Sequence, residues 1–206
     1  MTRKHVLVLV NNYKDREKGR KALSNIARCT GQPLEMIDHA TPNLAERLSH
    51  LEPDLVFLSG SEHLLSRPTT KEAFQSEIDL VKEPAFPILG ICFGHQLIGI
   101  AFGTGMSDMG HMVRRFEPVT VLDHNQIFEG LPSVITVAES HRQTLNEVPE
   151  GFLRLAFSAS SNIEAICHES MPVYGLQFHP ERSDEEHPHG RTIIRNLLNL
   201  AELAMS

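Results

Sequence analysis

The stretch Pro87-Ile88-Leu89-Gly90-Ile91-Cys92-Phe93-Gly94-His95-Gln96-Leu97 decides how this chain folds. Its first half is a short apolar run, as in a strand buried on both faces. Its second half begins an apolar helix, expected over Gln96 to Phe102. Cys92 sits at the junction, with Gly90 and Gly94 two residues to each side. This is the pattern of a nucleophile elbow, a tight strand-to-helix turn that needs small flanking residues and pushes one side chain out above the sheet edge. The helix that follows directs its first N–H groups and positive dipole end at the sulfur, favouring thiolate. The Phe93 N–H faces an oxyanion formed on attack. The plain alternative is a buried structural thiol beside packing glycines. Cys29 and Cys167 have no such context and read as structural.

Outward from this turn the chain alternates strand and helix. Apolar strands are expected at Val6–Val10, Leu34–Ile37, Leu55–Leu58 and Phe86–Ile91. Between them, helices are expected over Lys14–Arg28, from Thr41-Pro42 to Leu51 with proline at the first helical position, and from a Thr69 or Thr70 cap to Val81. Strands alternating with helices imply parallel strands joined by crossover helices. Beyond Gly103 the character changes. Segments near Val113 and at Val119–Leu122, Val134–Ala138, Leu153–Phe157, Ile163–Cys167 and Val173–Phe178 read as strands. The chain closes on an amphipathic helix with Ile193, Ile194, Leu197, Leu198 and Ala201 on one face. The expected fold is a single α/β domain over residues 1–206, three layers deep, around a central, mostly parallel sheet with a β-rich second half.

Composition excludes several classes. The 206 residues are 41% hydrophobic and 22% charged, ordinary for a globular protein and unlike a disordered or fibrous chain. A net charge of −7 without basic blocks makes a poor nucleic-acid binder. No apolar run approaches the ~20 residues of a membrane span, and the run at Val6–Val10 is too short for a signal peptide. Three widely spaced cysteines form neither a metal-type set nor a disulfide framework, which points to a reducing cytoplasm. Glu185, Glu186, His187 and His189 do not have a recognised ligand spacing and read as a solvated loop. Arg114 and Arg115 read as lying on a strand that faces a partner or solvent, with solvent the plainer reading. No metal and no cofactor are expected.

A thiol nucleophile needs an imidazole, and the imidazole needs a group to hold its other nitrogen. Gln177-Phe178-His179-Pro180-Glu181 supplies both at the end of an apolar strand. In extended chain His179 and Glu181 point the same way. Strand C-terminal ends gather on one edge of a parallel sheet, so Cys92 and His179 can meet there despite their separation in sequence.

These residues resemble the class I glutamine amidotransferases. The resemblance covers nearly the whole chain and is carried by Pro87–Leu97 and by Tyr174-Gly175-Leu176-Gln177-Phe178-His179-Pro180-Glu181. Ser59-Gly60, Phe128-Glu129-Gly130-Leu131-Pro132, Ser140-His141, Pro149-Glu150-Gly151-Phe152 and Gly190-Arg191 with Asn196 support it. It implies a flavodoxin-like three-layer fold and a Cys-His-Glu triad that removes ammonia from glutamine: Cys92 attacks the side-chain carboxamide, His179 protonates the departing ammonia, and Glu181 orients His179. A γ-glutamyl thioester forms and water releases glutamate. The resemblance also implies an oxyanion hole from the N–H groups of Phe93 and the Gly60-Ser61 turn, and glutamine binding by Gln96 and by the backbone of a Ser140-His141 turn.

Within that family the chain most resembles the glutaminase part of GMP synthase, through Phe128–Pro132, Pro149–Phe152 and the terminal helix. Ser61-Glu62 stands where the family usually has glycine and proline. Serine there costs roughly 1 kcal/mol or more if the position needs φ > 0. Arg142-Gln143 replaces the Gly-Asp usual after the histidine in that branch, and His95 is commoner in the anthranilate and carbamoyl phosphate branches. No P-loop or nucleotide fingerprint is present, so the resemblance implies a separate synthase subunit that accepts the ammonia. The readings that compete with it are a stand-alone γ-glutamyl hydrolase, the glutaminase subunit of anthranilate synthase or of another amidotransferase, and a non-catalytic scaffold suggested only by Ser61-Glu62.

Overall fold

The computed structural model describes residues 5–124 and 126–204, without the side chains of 126 and 202–204. Residues Met1 to Lys4, which open the N-terminal run compared with a signal peptide, lie outside the described residues. The strands are β1 (Leu7–Asn11), β2 (Leu34–Asp38), β3 (Leu55–Leu58), β4 (Ile88–Ile91), β5 (Met106–Val121), β6 (Val134–Leu145), β7 (Phe152–Ser158), β8 (Ala165–His168) and β9 (Val173–Leu176). The helices are α1 (Arg16–Thr30), α2 (Leu44–Ser49), α3 (Pro68–Ala73), α4 (Gln75–Lys82), α5 (Phe93–Ala101) and α6 (His189–Ala204). The strands form one sheet in the order β2-β1-β3-β4-β9-β8-β7-β5-β6. The β2-β1-β3-β4-β9 half is parallel; the remaining pairs are antiparallel.

Burial explains why the central strands read as unbroken apolar runs. All residues of β1, β3 and β4 are buried, and alternate residues feed two cores. Leu7 and Leu9 pack with Ile26 of α1 and Ile193, Ile194 and Leu197 of α6. Val8 and Val10 pack with Leu48 of α2, Val81 of α4 and Leu97 of α5. Helices on both faces of the sheet give the three expected layers. The Asp15 carboxylate caps α1 by accepting from Glu17 N–H, and Gly31 closes the helix at φ 70°, the left-handed conformation that glycine adopts freely.

Four local expectations are corrected. Pro42 does not open a helix: α2 begins at Leu44, after Asn43 in left-handed geometry. The helix expected to run unbroken to Val81 starts at Pro68 and breaks at Phe74. There the buried ring stacks on His39 at 4.1 Å and meets Phe93 at 4.7 Å. The elbow helix starts at Phe93, immediately after Cys92. Finally, β5 and β6 are far longer than the fragments read from the sequence. They pair as a hairpin whose register shifts between Asp108 and Val113, beside Gly110 at φ 78°.

The β6 arm reaches the parallel half of the sheet. Through an isolated bridge Ala138 pairs with His179, and His179 N–H donates to Ala138 O at 2.8 Å. This folds the far edge of the sheet back over the C-terminal end of β9.

Candidate active site

Strands β4 and β9 are parallel neighbours, with Ile91 opposite Leu176. Cys92 and the Gln177–His179 segment therefore leave the sheet side by side, on the edge where strand C-termini gather. Cys92 N–H donates to Leu176 O at 2.7 Å. Cys92 has φ 51° and ψ −95°, a conformation that costs a non-glycine residue of order 1–3 kcal/mol and marks functional turns. The glycines around it are demanded by close approach. A Cβ on Gly90 would lie 2.5 Å from the Gly94 carbonyl, and one on Gly94 would lie 2.5 Å from Leu58 O.

The imidazole and carboxylate meet as expected, by a different local geometry. Rather than continuing extended, the chain turns at His179 into a single 3-10 turn over Pro180–Arg182. That turn swings Glu181 round, and its Oε1 lies 2.8 Å from His179 Nδ1. Both side chains are buried. Burial pushes the His179 pKa down, against the pull of Glu181, which favours a neutral base. Burial pushes Glu181 up, but His179 and then Arg182 outweigh it and hold the carboxyl below its usual range. Burial raises the Cys92 thiol to about 12, with Arg182 and the Phe93 N–H pulling the other way. The Cys92 Sγ lies 3.6 Å from Ser140 O and 3.8 Å from Gln177 Nε2.

The turn after β3 approaches this pair. A Cβ on Gly60 would lie 2.6 Å from Tyr13 Oη and 2.9 Å from His179 Cε1, so only glycine fits without displacement. Ser61 does not occupy left-handed φ, so the strain considered for serine at this position is absent. Its Oγ donates to Asn12 O at 2.7 Å and accepts from His63 N–H at 3.0 Å. Glu62 ties the same turn to the start of α1, accepting from Lys14 N–H and Lys18 Nζ.

Gln96 is buried, and its Nε2 donates to Gln143 O at 2.7 Å and to Gln177 Oε1 at 3.2 Å. Ser140 and His141 lie within β6 rather than in a turn; their strand is brought to Cys92 by the fold-back at Ala138. Ser61, Ser140, His179 and Glu181 open onto a cleft of about 880 Å³. Lys18, Lys21, Arg28, Arg114 and Arg191 also border it, so Arg114 faces the cleft, while Arg115 pairs with Glu117 at 2.9 Å. In the loop before α6, Asp184 accepts from the His187 backbone and His189 Nδ1 accepts from Thr136 N–H.

Several contributors were not singled out from the sequence. Gln177 lies inside the quoted motif, yet its contact with sulfur depends on the β4–β9 register. Tyr13 and Arg182 meet at 3.4 Å on the cleft wall. Their positions, just after β1 and just after Glu181, were the available signal.

Known proteins resemble the chain over most of its length. The family profile for "Glutamine amidotransferase class-I" matches residues 9–200. A glutamine-hydrolysing GMP synthase subunit from Thermococcus kodakarensis is 37% identical over 173 residues, covering 84% of this chain and 88% of its own length. The Methanosarcina barkeri protein of the same name is 34% identical over 197 residues, covering 95% and 96%. A crystal structure from Thermoplasma acidophilum, of a protein provisionally named as the corresponding GMP synthase subunit, superposes with TM-score 0.82 at 26% identity, covering 100% of this chain and 98% of that one. A glutamine amidotransferase structure from Thermotoga maritima, at 19% identity and TM-score 0.72 over 97% of this chain and 99% of that one, shares the fold. A profile spanning most of the chain, and relatives above 30% identity along most of its length, establish that the chain belongs to the class-I glutamine amidotransferases.

Proposed function

We propose that this chain is the glutaminase subunit of a two-subunit GMP synthase, with Cys92, His179 and Glu181 as its catalytic triad. The observation that carries the reading is the 2.8 Å His179–Glu181 pair, which opens onto the cleft at the end of the strand next to the Cys92 elbow. The relatives named as glutamine-hydrolysing GMP synthase subunits support the choice of pathway.

In the proposed reaction the Cys92 thiol gives its proton to neutral His179 as sulfur attacks the glutamine side-chain carbonyl. Glu181 accepts from Nδ1–H, fixing the tautomer that leaves Nε2 as base. The tetrahedral oxyanion is held by the Phe93 N–H and by the Gly60–Ser61 turn. Collapse breaks the C–N bond, and imidazolium returns the proton to the departing ammonia, leaving a γ-glutamyl thioester. A water, deprotonated by His179, then cleaves the thioester to glutamate and free thiol. Gln96 and the backbone of Ser140 and His141 hold the substrate. The cleft beyond them is the face on which a separate synthase subunit docks and receives ammonia. Glutamine is the only small molecule the reaction needs besides water.

The test is glutamate release from glutamine by the chain and by Cys92→Ala, with and without a GMP synthetase subunit. Activity that needs Cys92 and rises with the partner is expected. Activity that needs Cys92 but ignores every synthase subunit would favour a stand-alone γ-glutamyl hydrolase. No Cys92-dependent release under any condition would overturn the assignment.

A further inference from the structure

Behind the candidate site lies a group of side chains that the proposed reaction leaves largely unused. Glu139 and His141 project from the same face of β6, as alternate strand residues must. Glu164, in the loop before β8, meets them from the neighbouring segment. One ligand-capable atom from each of these three residues lies within 4.8 Å of the others. All three are buried, with the Glu139 and His141 side chains fully so. Among the described residues, no group beyond the two carboxyls themselves donates to either Glu139 oxygen or to Glu164 Oε2; Glu139 and Glu164 lie close enough to hydrogen-bond each other by sharing one proton. Glu139 Oε2 instead faces His141 Nε2 at 3.2 Å.

The nearest cation does not repair this. Arg115 Nη2 lies 2.9 Å from Glu117 Oε2, and its side chain is 59% exposed. Two carboxylates closed off from water and within reach of one another must be neutralised. Either they take up a proton or they share a cation.

The geometry points to a divalent metal site formed by Glu139, His141 and Glu164. Two carboxylate oxygens and one imidazole nitrogen make an N/O donor set suited to Zn2+ or Mn2+. A doubly charged ion balances both carboxylates and takes the place of the proton that they otherwise share. An outer contact is already built. Ser158 Oγ donates to Glu164 Oε1 at 2.6 Å, which orients the carboxylate and leaves Oε2 for the ion. The motif was hard to see in sequence, because its third ligand is far along the chain and its first two are separated by one residue. Bound there, the ion pins β6 to the β7–β8 connection. It does so directly beside Ser140, whose carbonyl lies 3.6 Å from Cys92 Sγ. Its role is to hold that strand in place, and no step of glutamine hydrolysis passes through it.

The test uses the full chain in a Cys92→Ala background, so that the candidate nucleophile cannot bind zinc itself. After chelator treatment and exchange into metal-free buffer, Zn2+ and Mn2+ are titrated calorimetrically, and bound metal is counted by elemental analysis. The expected result is about one equivalent bound. The melting temperature should rise with free metal, as binding to the folded state requires. Glu139→Gln and Glu164→Gln should each weaken binding at least ~100-fold, and Ser158→Ala about 10-fold, as loss of an outer contact does. Should a ligand variant fail to fold, Ser158→Ala carries the test alone. No stoichiometric metal would mean that the two carboxylates share a proton instead, and would overturn the proposal. So would binding that these variants leave unchanged, which would place the ion elsewhere, for example at His187 and Asp184.

Discussion

Gly60→Ala is the sharpest test of the proposed site, because the perturbation is one methyl group at a known place. The new Cβ would sit 2.6 Å from Tyr13 Oη and 2.9 Å from His179 Cε1, where ordinary carbon contacts begin near ~3.5 Å. Something must give by more than half an ångström. Tyr13 Oη is tied to Arg182, and His179 to Glu181 and to the Ala138 carbonyl. Neither is a loose end. Overpacking of this kind costs about 1–3 kcal/mol of stability, which a domain of this size survives. A shift of that order in the base or in the oxyanion turn costs about 100-fold in rate. The assay is steady-state glutamate release, with kcat and KM separated and folding checked by thermal melting. The loss should fall mainly on kcat. Adding Tyr13→Phe removes the 2.6 Å contact but leaves the 2.9 Å contact with His179, so the double variant should recover little. Near-wild-type kcat in folded Gly60→Ala would refute the claim that this turn and His179 are held in catalytic register. Full rescue by Tyr13→Phe would show that the turn is set against Tyr13 and not against the base.

Three further outcomes concern the titrating groups. Glu181→Gln should lower kcat by about 100- to 10,000-fold, since the amide no longer enforces the His179 tautomer. Activity in the parent should be lost as pH falls through a His179 pKa below 6.5, and Glu181→Gln should move that acid limb lower still, because the carboxylate is what raises it; a limb that moves upward would contradict this. Burial raises Glu77 from 4.5 to about 8, so its contribution to stability is complete below pH 4.5 and is lost as pH rises towards 8. At about 1.4 kcal/mol per pKa unit this is a slope of a few kcal/mol that Glu77→Gln should flatten in chemical denaturation across that range.

The parts of the fold that were legible in the sequence are those whose burial is uniform. Leu55–Leu58 is buried on both faces and was bounded correctly, and the apolar face of α6 lies in the core at Ile193, Ile194, Leu197 and Leu198. What escaped was structure held by partners distant in sequence. Much of β5 is exposed, so its outer half lacks the apolar alternation that marks a strand, and only pairing with β6 maintains it. Phe74 looks like an ordinary helix residue until its ring is seen against His39 and Phe93. The site divides the same way. The placement of the Cys92 elbow beside the His179–Glu181 pair could be read because elbow and strand-end patterns are local. The burial of Glu139 beside Glu164 could not, because a fold-back at Ala138 and a loop from another strand create it.

That division bears on how the proposed reaction is controlled. In the free chain burial raises the Cys92 thiol to about 12 and lowers His179, so both rest neutral and a preformed thiolate–imidazolium pair is disfavoured. The proton must then leave sulfur as the new C–S bond forms, and the barrier depends on how well the developing oxyanion is held rather than on charge stored in advance. In the proposed reaction the oxyanion donors are the Phe93 N–H, fixed by the elbow, and the turn at Gly60 and Ser61. That turn is tied by Ser61 to Asn12, and by Glu62 to Lys14 and Lys18 at the start of α1. Lys18 also lines the cleft. In the proposed two-subunit enzyme, a synthase docked on this cleft would reach the reaction through these contacts, by tightening the turn around the oxyanion. It would not need to ionise the thiol first.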